Sequence, residues 1–348
     1  MPESAPQPQD RPPSVAVVIP CWNAEAFVAR AVQSALEQNY RPFEVIAVDD
    51  GSTDASVAIL QSFGAQITSL PRPHQGACAA RNAGLEAATS DYLCFLDADD
   101  YLEPGHVQEM IAALGKSADM VIAKRHVYEA RGRQRARMLP FAPTDQPADF
   151  IRHWLSGNNA QTASILWRRN FLTRIGGWNA AMLRLQDIEI ALRAFRAAPE
   201  IAICPGGRAV YVDHTGSQRV SRRHSEQVLA ADERYLAGLE RELAAYPAAV
   251  IYALGLRSYS LAGVAYHYGV DDIGDAHLRR ARSCGVTGHV GTPAHRLLAT
   301  LVGYRRKVML AAKLRRAFTI LASSISPSNA GSGRPPAARP PRDREARS

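Results

Sequence analysis

Long apolar runs are missing from this 348-residue chain. The stretches Val15 to Pro20 and Ala163 to Trp167 fall far short of the roughly 20 residues that cross a bilayer, so no spanning segment is expected. Met1 to Pro13 is polar and proline-rich and has no apolar signal core, which argues against export and for a cytoplasmic protein. Cysteine pairs are missing too. Cys21, Cys78, Cys94, Cys204 and Cys284 are odd in number and dispersed, with no C-x-x-C. Neither a disulfide framework nor a zinc site fits that pattern, and small core residues are expected instead. Acid is missing from Arg305 to Arg316, which holds six basic residues, and is scarce from Arg334 to Ser348, where five Arg face two acids. Those two segments carry the whole formal excess of eight positive charges, so the rest is near neutral and no nucleic-acid partner is expected.

What is present is enough apolar material, 47% of residues, for one large core and a smaller appended module. From Ser14 to Ala123, β-branched runs alternate with helical patterns, as strand–helix–strand units of a mainly parallel sheet do. The strands expected are Val15 to Ile19, Phe43 to Val48, Gln66 to Leu70, Tyr92 to Leu96 and Met120 to Ala123. Helices are expected from Phe27 to Leu36 with Asn23 as cap, from Ala77 to Ala88 and from Glu103 to Leu114. Arg131 to Pro147 reads as a loop into a second half, where Ala148 to Leu155 and Gln186 to Ala197 are helical and Ala163 to Trp167 and Ala209 to Val212 extended. Beyond Ser225 the pattern is helical to Ile325, broken at Gly285 and Gly291, with a faint helical-hairpin pair between Ala230 and Arg282. Residues 1–13 and the basic tail 326–348 are expected to be disordered.

Two acidic clusters follow strands. Asp49-Asp50-Gly51-Ser52-Thr53-Asp54 reads either as a turn in which Asp54 caps the next helix or as a ligand loop. Asp97-Ala98-Asp99-Asp100 packs three carboxylates into four residues, which repel one another unless a cation joins them; a solvated loop is the plainer alternative. Both sit at the strand ends where a parallel sheet binds ligands, so the first could hold a base or ribose and the second a metal bridging phosphates.

With the opening Ile19-Pro20-Cys21-Trp22-Asn23 and the stretch Gly76 to Leu85 containing Ala80-Arg81-Asn82-Ala83-Gly84, the chain resembles the inverting glycosyltransferases of family 2. The resemblance spans roughly Ser14 to Ser221 and rests on four motifs in order: I-P-x-x-N, D-D-G-S-T-D, G-x-x-x-A-R-N-x-G and D-x-D. It implies an α/β GT-A fold, a Rossmann-like, mainly parallel sheet (14–225, nucleotide half 14–123, acceptor half 148–225), to which the helical pattern beyond it adds a C-terminal helical extension (226–325). It further implies that Pro20, Asn23 and Glu25 line the nucleotide pocket, that Asp50 contacts the base, that Arg81 helps hold the nucleotide and that Asp97 sits near ribose and metal. Asp99 would ligate the metal. Trp22 and His74 depart from the usual Tyr and Asn.

Gly176-Gly177-Trp178 and Gln186-Asp187-x-x-x-x-Leu192-Arg193 resemble the acceptor-half motifs, with Gln186 in place of the usual Glu. The implied catalytic base is Asp187; a helix-start carboxylate is the structural alternative. Tyr211-Val212-Asp213-His214-Thr215-Gly216-Ser217 resembles a segment whose histidine, here His214, completes the metal site. Arg219, Arg222 and Arg223 follow, either closing over the diphosphate or forming a solvated face. The implied activity is transfer of a single sugar from a nucleotide-diphosphate-sugar, UDP by family habit, to an acceptor hydroxyl, with a divalent metal, Mn²⁺ or Mg²⁺, as cofactor. Neither the Q-x-x-R-W motif of processive synthases nor the N-terminal G-x-G-x-R loop of nucleotidyltransferases is present. A non-catalytic nucleotide-sugar-binding scaffold is the alternative. The implied acceptor is a glycan or a lipid-linked one in cell-surface glycan synthesis. Residues 303–322, apolar and basic, suit peripheral contact with an anionic membrane at its inner face, or else packing on the protein's own core.

Overall fold

Val15 to Ile19 have no polar face, and such a run belongs inside a parallel sheet covered on both sides. The computed structural model, which describes residues 11–115, 118–214 and 224–311, places them there. The first half runs β1 (Val15–Cys21), α1 (Val28–Leu36), β2 (Phe43–Asp49), α2 (Ser56–Ser62), β3 (Thr68–Pro71), α3 (Ala77–Ala87), β4 (Tyr92–Phe95), β5 (Tyr101–Leu102), α4 (His106–Ala112) and β6 (Met120–Ala123). A hairpin of β7 (Arg125–Ala130) and β8 (Arg133–Met138) follows, then α5 (Pro147–Leu155), β9 (Ile165–Arg168), α6 (Arg169–Arg174), α7 (Gln186–Arg196), β10 (Ile201–Cys204) and β11 (Ala209–Asp213). Helices α8 (Glu226–Glu242), α9 (Ala248–His267), α10 (Asp271–Ser283) and α11 (Pro293–Val302) complete it.

Seven strands form the main sheet in the order β10-β6-β9-β4-β1-β2-β3, and four form a second, β5-β11-β7-β8. Only β9 runs antiparallel to its neighbours in the main sheet. Alternate residues of β1 serve opposite cores, as a period of two requires. Val15, Val17 and Ile19 pack with Val28 and Val32 of α1 and Met110 of α4. Ala16 and Val18 belong to a core with Leu85, Trp154 and Phe195 that continues without a break into Leu236, Leu254 and Leu261 of α8 and α9. The division at 225 is therefore one of secondary structure and not of core. All five cysteines are buried and free.

Several sequence expectations are corrected. The third strand begins at Thr68, because Gly64–Gln66 form a 3-10 turn. The helix expected from Glu103 is shortened to α4, since Tyr101–Leu102 pair with β11. Asn23 does not cap α1; Phe27 precedes that helix and no side chain caps it. The loop expected over 131–147 contains β8, whose six residues are all exposed and so carry no apolar alternation to read. Its turn uses Arg131 and Gly132 with φ of 52° and 69°, the two-residue geometry whose twist suits a hairpin. Strand β10 and helix α6 were not expected. Residues 11–13 are ordered: Arg11 donates to both carboxylate oxygens of Asp91 at 2.9 Å, and the Tyr40 hydroxyl to the Pro13 carbonyl at 2.6 Å. The remainder of 1–13, the tail 326–348, Arg219, Arg222, Arg223 and most of 303–322 lie outside the described residues.

Among the described residues one helix, α9, is long and apolar enough by length and composition to cross a membrane, contrary to expectation. Half of it is buried against the core, and Arg257 at its middle donates to the carbonyls of Trp154 (2.9 Å) and Leu155 (3.1 Å) at the end of α5. Core packing accounts for its apolar character.

Candidate active site

The ends of β1 and β2 are tied to one another by short polar side chains. Asn23, held at φ 48°, accepts from the Thr53 N–H at 2.8 Å and donates its own N–H to Ser52 Oγ at 2.9 Å. Glu25 accepts from the Ala55 N–H at 2.9 Å, and Asp54 answers by accepting from the Glu25 N–H at 3.1 Å. Asp54 also accepts from the Ser56 N–H at 2.9 Å, at the first turn of α2. Asp50, buried, accepts from the Gln75 N–H (3.0 Å) and the Gly76 N–H (2.7 Å), with His74 Nδ1 at 2.9 Å and Arg72 Nε at 3.5 Å. The Trp22 and His74 rings stack with centroids 4.5 Å apart, and Pro20 lies half-buried at the end of β1. Asn23, Glu25 and Asp50, expected to meet a nucleotide, thus first fix the loops that would surround it.

Helix α3 brings its motif onto the sheet by close approach. A Cβ on Gly84 would come 2.2 Å from Val18 Cγ1, so only glycine lets α3 lie this near β1. That seating aims Arg81, buried, along the strand ends. One terminal nitrogen donates to Asp97 Oδ1 at 2.6 Å and the other to Gln186 Oε1 at 3.0 Å, while the guanidinium covers the Trp178 ring at 4.4 Å. Gln186 accepts here as a glutamate would, which is why an amide can replace the acid at this position. Neighbouring Asn82 pins the Gly176-Gly177-Trp178 loop by accepting from the Trp178 N–H at 2.7 Å and donating to its carbonyl at 2.8 Å. One arginine therefore joins the D-x-D loop to the head of α7.

Asp187 is the second residue of α7, partly buried, and accepts from Asn159 Nδ2 at 3.2 Å. Desolvation raises its carboxyl above the ordinary range, against the lowering pull of Arg257, nearby backbone N–H groups and Arg81. Asn159 and Arg257 were missed by sequence reasoning; the only signal for Arg257 was a single formally charged residue inside an apolar helix. Also missed was Arg184, which donates to the buried Asp232 of α8 at 2.7 Å and fixes the chain just before Leu185 enters α7 with φ 59°. Glu189, the next carboxylate along α7, is committed elsewhere: both its oxygens accept from Arg193 at 2.9 Å.

The proposed metal ligands meet. His214 Nε2 and Asp99 Oδ2 are 2.9 Å apart, with the imidazole stacked on Phe27 at 4.4 Å. At 2.9 Å the two side chains are hydrogen-bonded to one another, and an imidazole and a carboxylate brought together in this way are a donor set that suits a divalent cation. No cluster of three or more such donors occurs among the described residues, so water or phosphate oxygens would complete the shell. Asp100 does not join it: its carboxylate accepts from the Val212 N–H at 2.9 Å and so holds β11, and with it His214, against the loop. An open depression of about 390 Å³ beside α3, lined by Val48, Leu70, Arg72 and Glu86, includes none of Asp97, Asp99 or Asp187.

Comparison with known proteins bears on the family and the fold. Residues 16–180 match Glycosyl transferase family 2. A glycosyltransferase of Haemophilus influenzae is 36% identical over 162 residues, 45% of this chain and 63% of that protein. The amylovoran biosynthesis glycosyltransferase AmsB of Erwinia amylovora is 30% identical over 193 residues, 52% of this chain and 64% of that one. This chain thus spans less than two thirds of either relative. The crystal structure of S. aureus TarS 1-349 with UDP-GlcNAc matches with a TM-score of 0.55 at 17% identity over 78% of this chain and 91% of that one, which establishes the shared fold.

Proposed function

We propose, from the premise that residues 16–180 belong to glycosyl transferase family 2, that this protein moves one sugar from a nucleoside-diphosphate-sugar to an acceptor hydroxyl with inversion. Asp187 removes the hydroxyl proton. The oxygen attacks the anomeric carbon from the face opposite the diphosphate, and the bond to the leaving oxygen breaks with its electron pair departing on phosphate. Desolvation makes Asp187 a stronger base than an exposed carboxylate, and Asn159 aims it. A divalent ion, Mn²⁺ or Mg²⁺, held by Asp99 and His214 would neutralise charge on the leaving phosphate. The D-x-D loop and the head of α7 belong to one cleft; the observation that carries this reading is the Arg81 bridge from Asp97 to Gln186, one residue from Asp187.

UDP is the donor nucleotide proposed, and a cell-surface glycan or lipid-linked sugar the acceptor; the Erwinia relative is named for the biosynthesis of amylovoran. A donor screen read by product mass tests the activity, and calorimetry of UDP binding tests the metal. Mn²⁺ should tighten UDP binding, and Asp99→Ala should abolish that dependence, because a diphosphate beside two carboxylates is repelled without a cation between them. Equal affinity in EDTA and Mn²⁺ removes the metal from this reading; no transfer or hydrolysis from any donor removes the activity.

A further inference from the structure

Helix α11 inverts the burial rule that the rest of the molecule obeys. Its only buried residue is Ala299, while Leu297 is 63% exposed, Leu298 38% and Leu301 72%. These leucines stand at i, i+1 and i+4, on one side of the helix. Five of the nine large apolar side chains exposed among the described residues fall between 290 and 310. A concentration of that kind marks a surface that meets something apolar.

The charge around it is one-sided. From 276 to 342 the chain has no Asp or Glu and 13 Lys or Arg. Within the described part, Arg296 and Arg306 are exposed on either side of the leucines. Arg305 pairs with Asp271, and Lys307 lies over the Tyr304 ring at 5.5 Å. The segment is seated on the body of the protein. Tyr304 stacks on Tyr259 with centroids 4.2 Å apart and donates to the Tyr259 carbonyl at 3.2 Å. The absent side chain of Gly263 makes room, since a Cβ there would come 2.6 Å from the Tyr304 hydroxyl.

We propose that α11 and the helical residues 304–311 form a docking surface for an anionic phospholipid bilayer. Leu297, Leu298 and Leu301 enter the headgroup region, and Arg296 and Arg306 meet lipid phosphates. Charge decides against the other occupants. A second copy meeting this face about a two-fold axis would set two predominantly basic surfaces against one another. A nucleic acid would use the arginines and leave the leucines in water. The inference does not depend on the sugar-transfer reading, although a lipid surface is where a lipid-linked acceptor would be found.

The test is co-sedimentation of the full chain with phosphatidylcholine vesicles with and without phosphatidylglycerol, at low and high salt. Binding is expected only with the anionic lipid and should weaken as salt rises. Arg296→Gln with Arg306→Gln should weaken it about 30-fold, from about 1 kcal/mol per charge near the surface. Leu297→Ser with Leu301→Ser should weaken it at least about tenfold, with melting temperature and sedimentation coefficient unchanged. Equal binding to neutral vesicles, or none to either, overturns the proposal. So does a leucine variant that binds normally. A leucine variant that melts lower or dissociates into smaller species overturns it as well, because the face is then covered by this chain or by a second copy.

Discussion

The residues proposed for the donor side and those proposed for the acceptor side are built on opposite terms. On the donor side nearly every polar side chain is already satisfied: Asn23, Glu25, Asp50 and Asp54 each accept from backbone N–H groups of a neighbouring loop. On the acceptor side Asp187 receives one side-chain hydrogen bond, from Asn159, and its carboxyl is pushed upward by desolvation. The first arrangement holds a shape. In the proposed reaction the second would keep the proton acceptor reactive, since a carboxylate saturated with donors is a poor base. Arg81 belongs to both sides and couples them.

The sharpest test of that contrast is Asp187→Asn. Turnover should fall by roughly 10² to 10⁴ while UDP affinity is unchanged, with kcat and nucleotide binding measured on the same variant. A loss of only a few-fold would remove Asp187 as base, and the pairing of Glu189 with Arg193 leaves that residue a poor substitute. Asp50→Ala should show the reverse pattern. It strips the acceptor from two backbone N–H groups and leaves Arg72 and His74 without their carboxylate, so urea unfolding should report a loss of about 3 kcal/mol. If Asp50→Ala left stability intact, the donor loops would not be the rigid half.

Smaller effects refine the acceptor side. Arg257 lowers the Asp187 carboxyl, so Arg257→Met should move the acidic limb of the kcat profile to higher pH with donor KM unchanged. An unmoved limb would mean that Arg257 serves only the α5 carbonyls. The last test concerns sign. A carboxyl raised in the folded state contributes stability that is fully present below its unfolded value, about 3.9, and is lost as pH rises through the folded value. Asp187→Asn should therefore raise the melting temperature at pH 8 relative to the parent by more than it does at pH 4. A helix-start carboxylate stabilised by the macrodipole predicts a fall at pH 8 instead.

Much of this site was legible because its parts are contiguous in the chain. Asp97 and Asp99 follow an apolar strand at the ligand-binding edge of the sheet, which nominates them locally, whereas Asp187 is nominated by the resemblance of its helix to an acceptor-half motif. The partners that hold them were not legible. Asn159 lies 28 positions from Asp187, and Arg184 reaches Asp232 across 48. No local period carries such a pairing. The β8 strand escaped for a different reason: it is exposed on all six residues, and it is held by its backbone ladder with β7 and by polar side-chain bonds such as that from the Gln134 amide to the Tyr101 hydroxyl, none of which leaves an apolar alternation in the sequence.

Composition and pattern by themselves determined the alternating architecture and the buried free cysteines, because burial imposes a period on sequence, and the resemblance of the motifs nominated the candidate site residues. Only the tertiary structure decided that the C-terminal helices share the core of the main sheet, that Asp99 meets His214, and that Arg81 spans the cleft. Those are distances between elements far apart in the chain. They are settled by which faces pack together, as Gly84 on Val18 does for α3, and not by any residue's own preference.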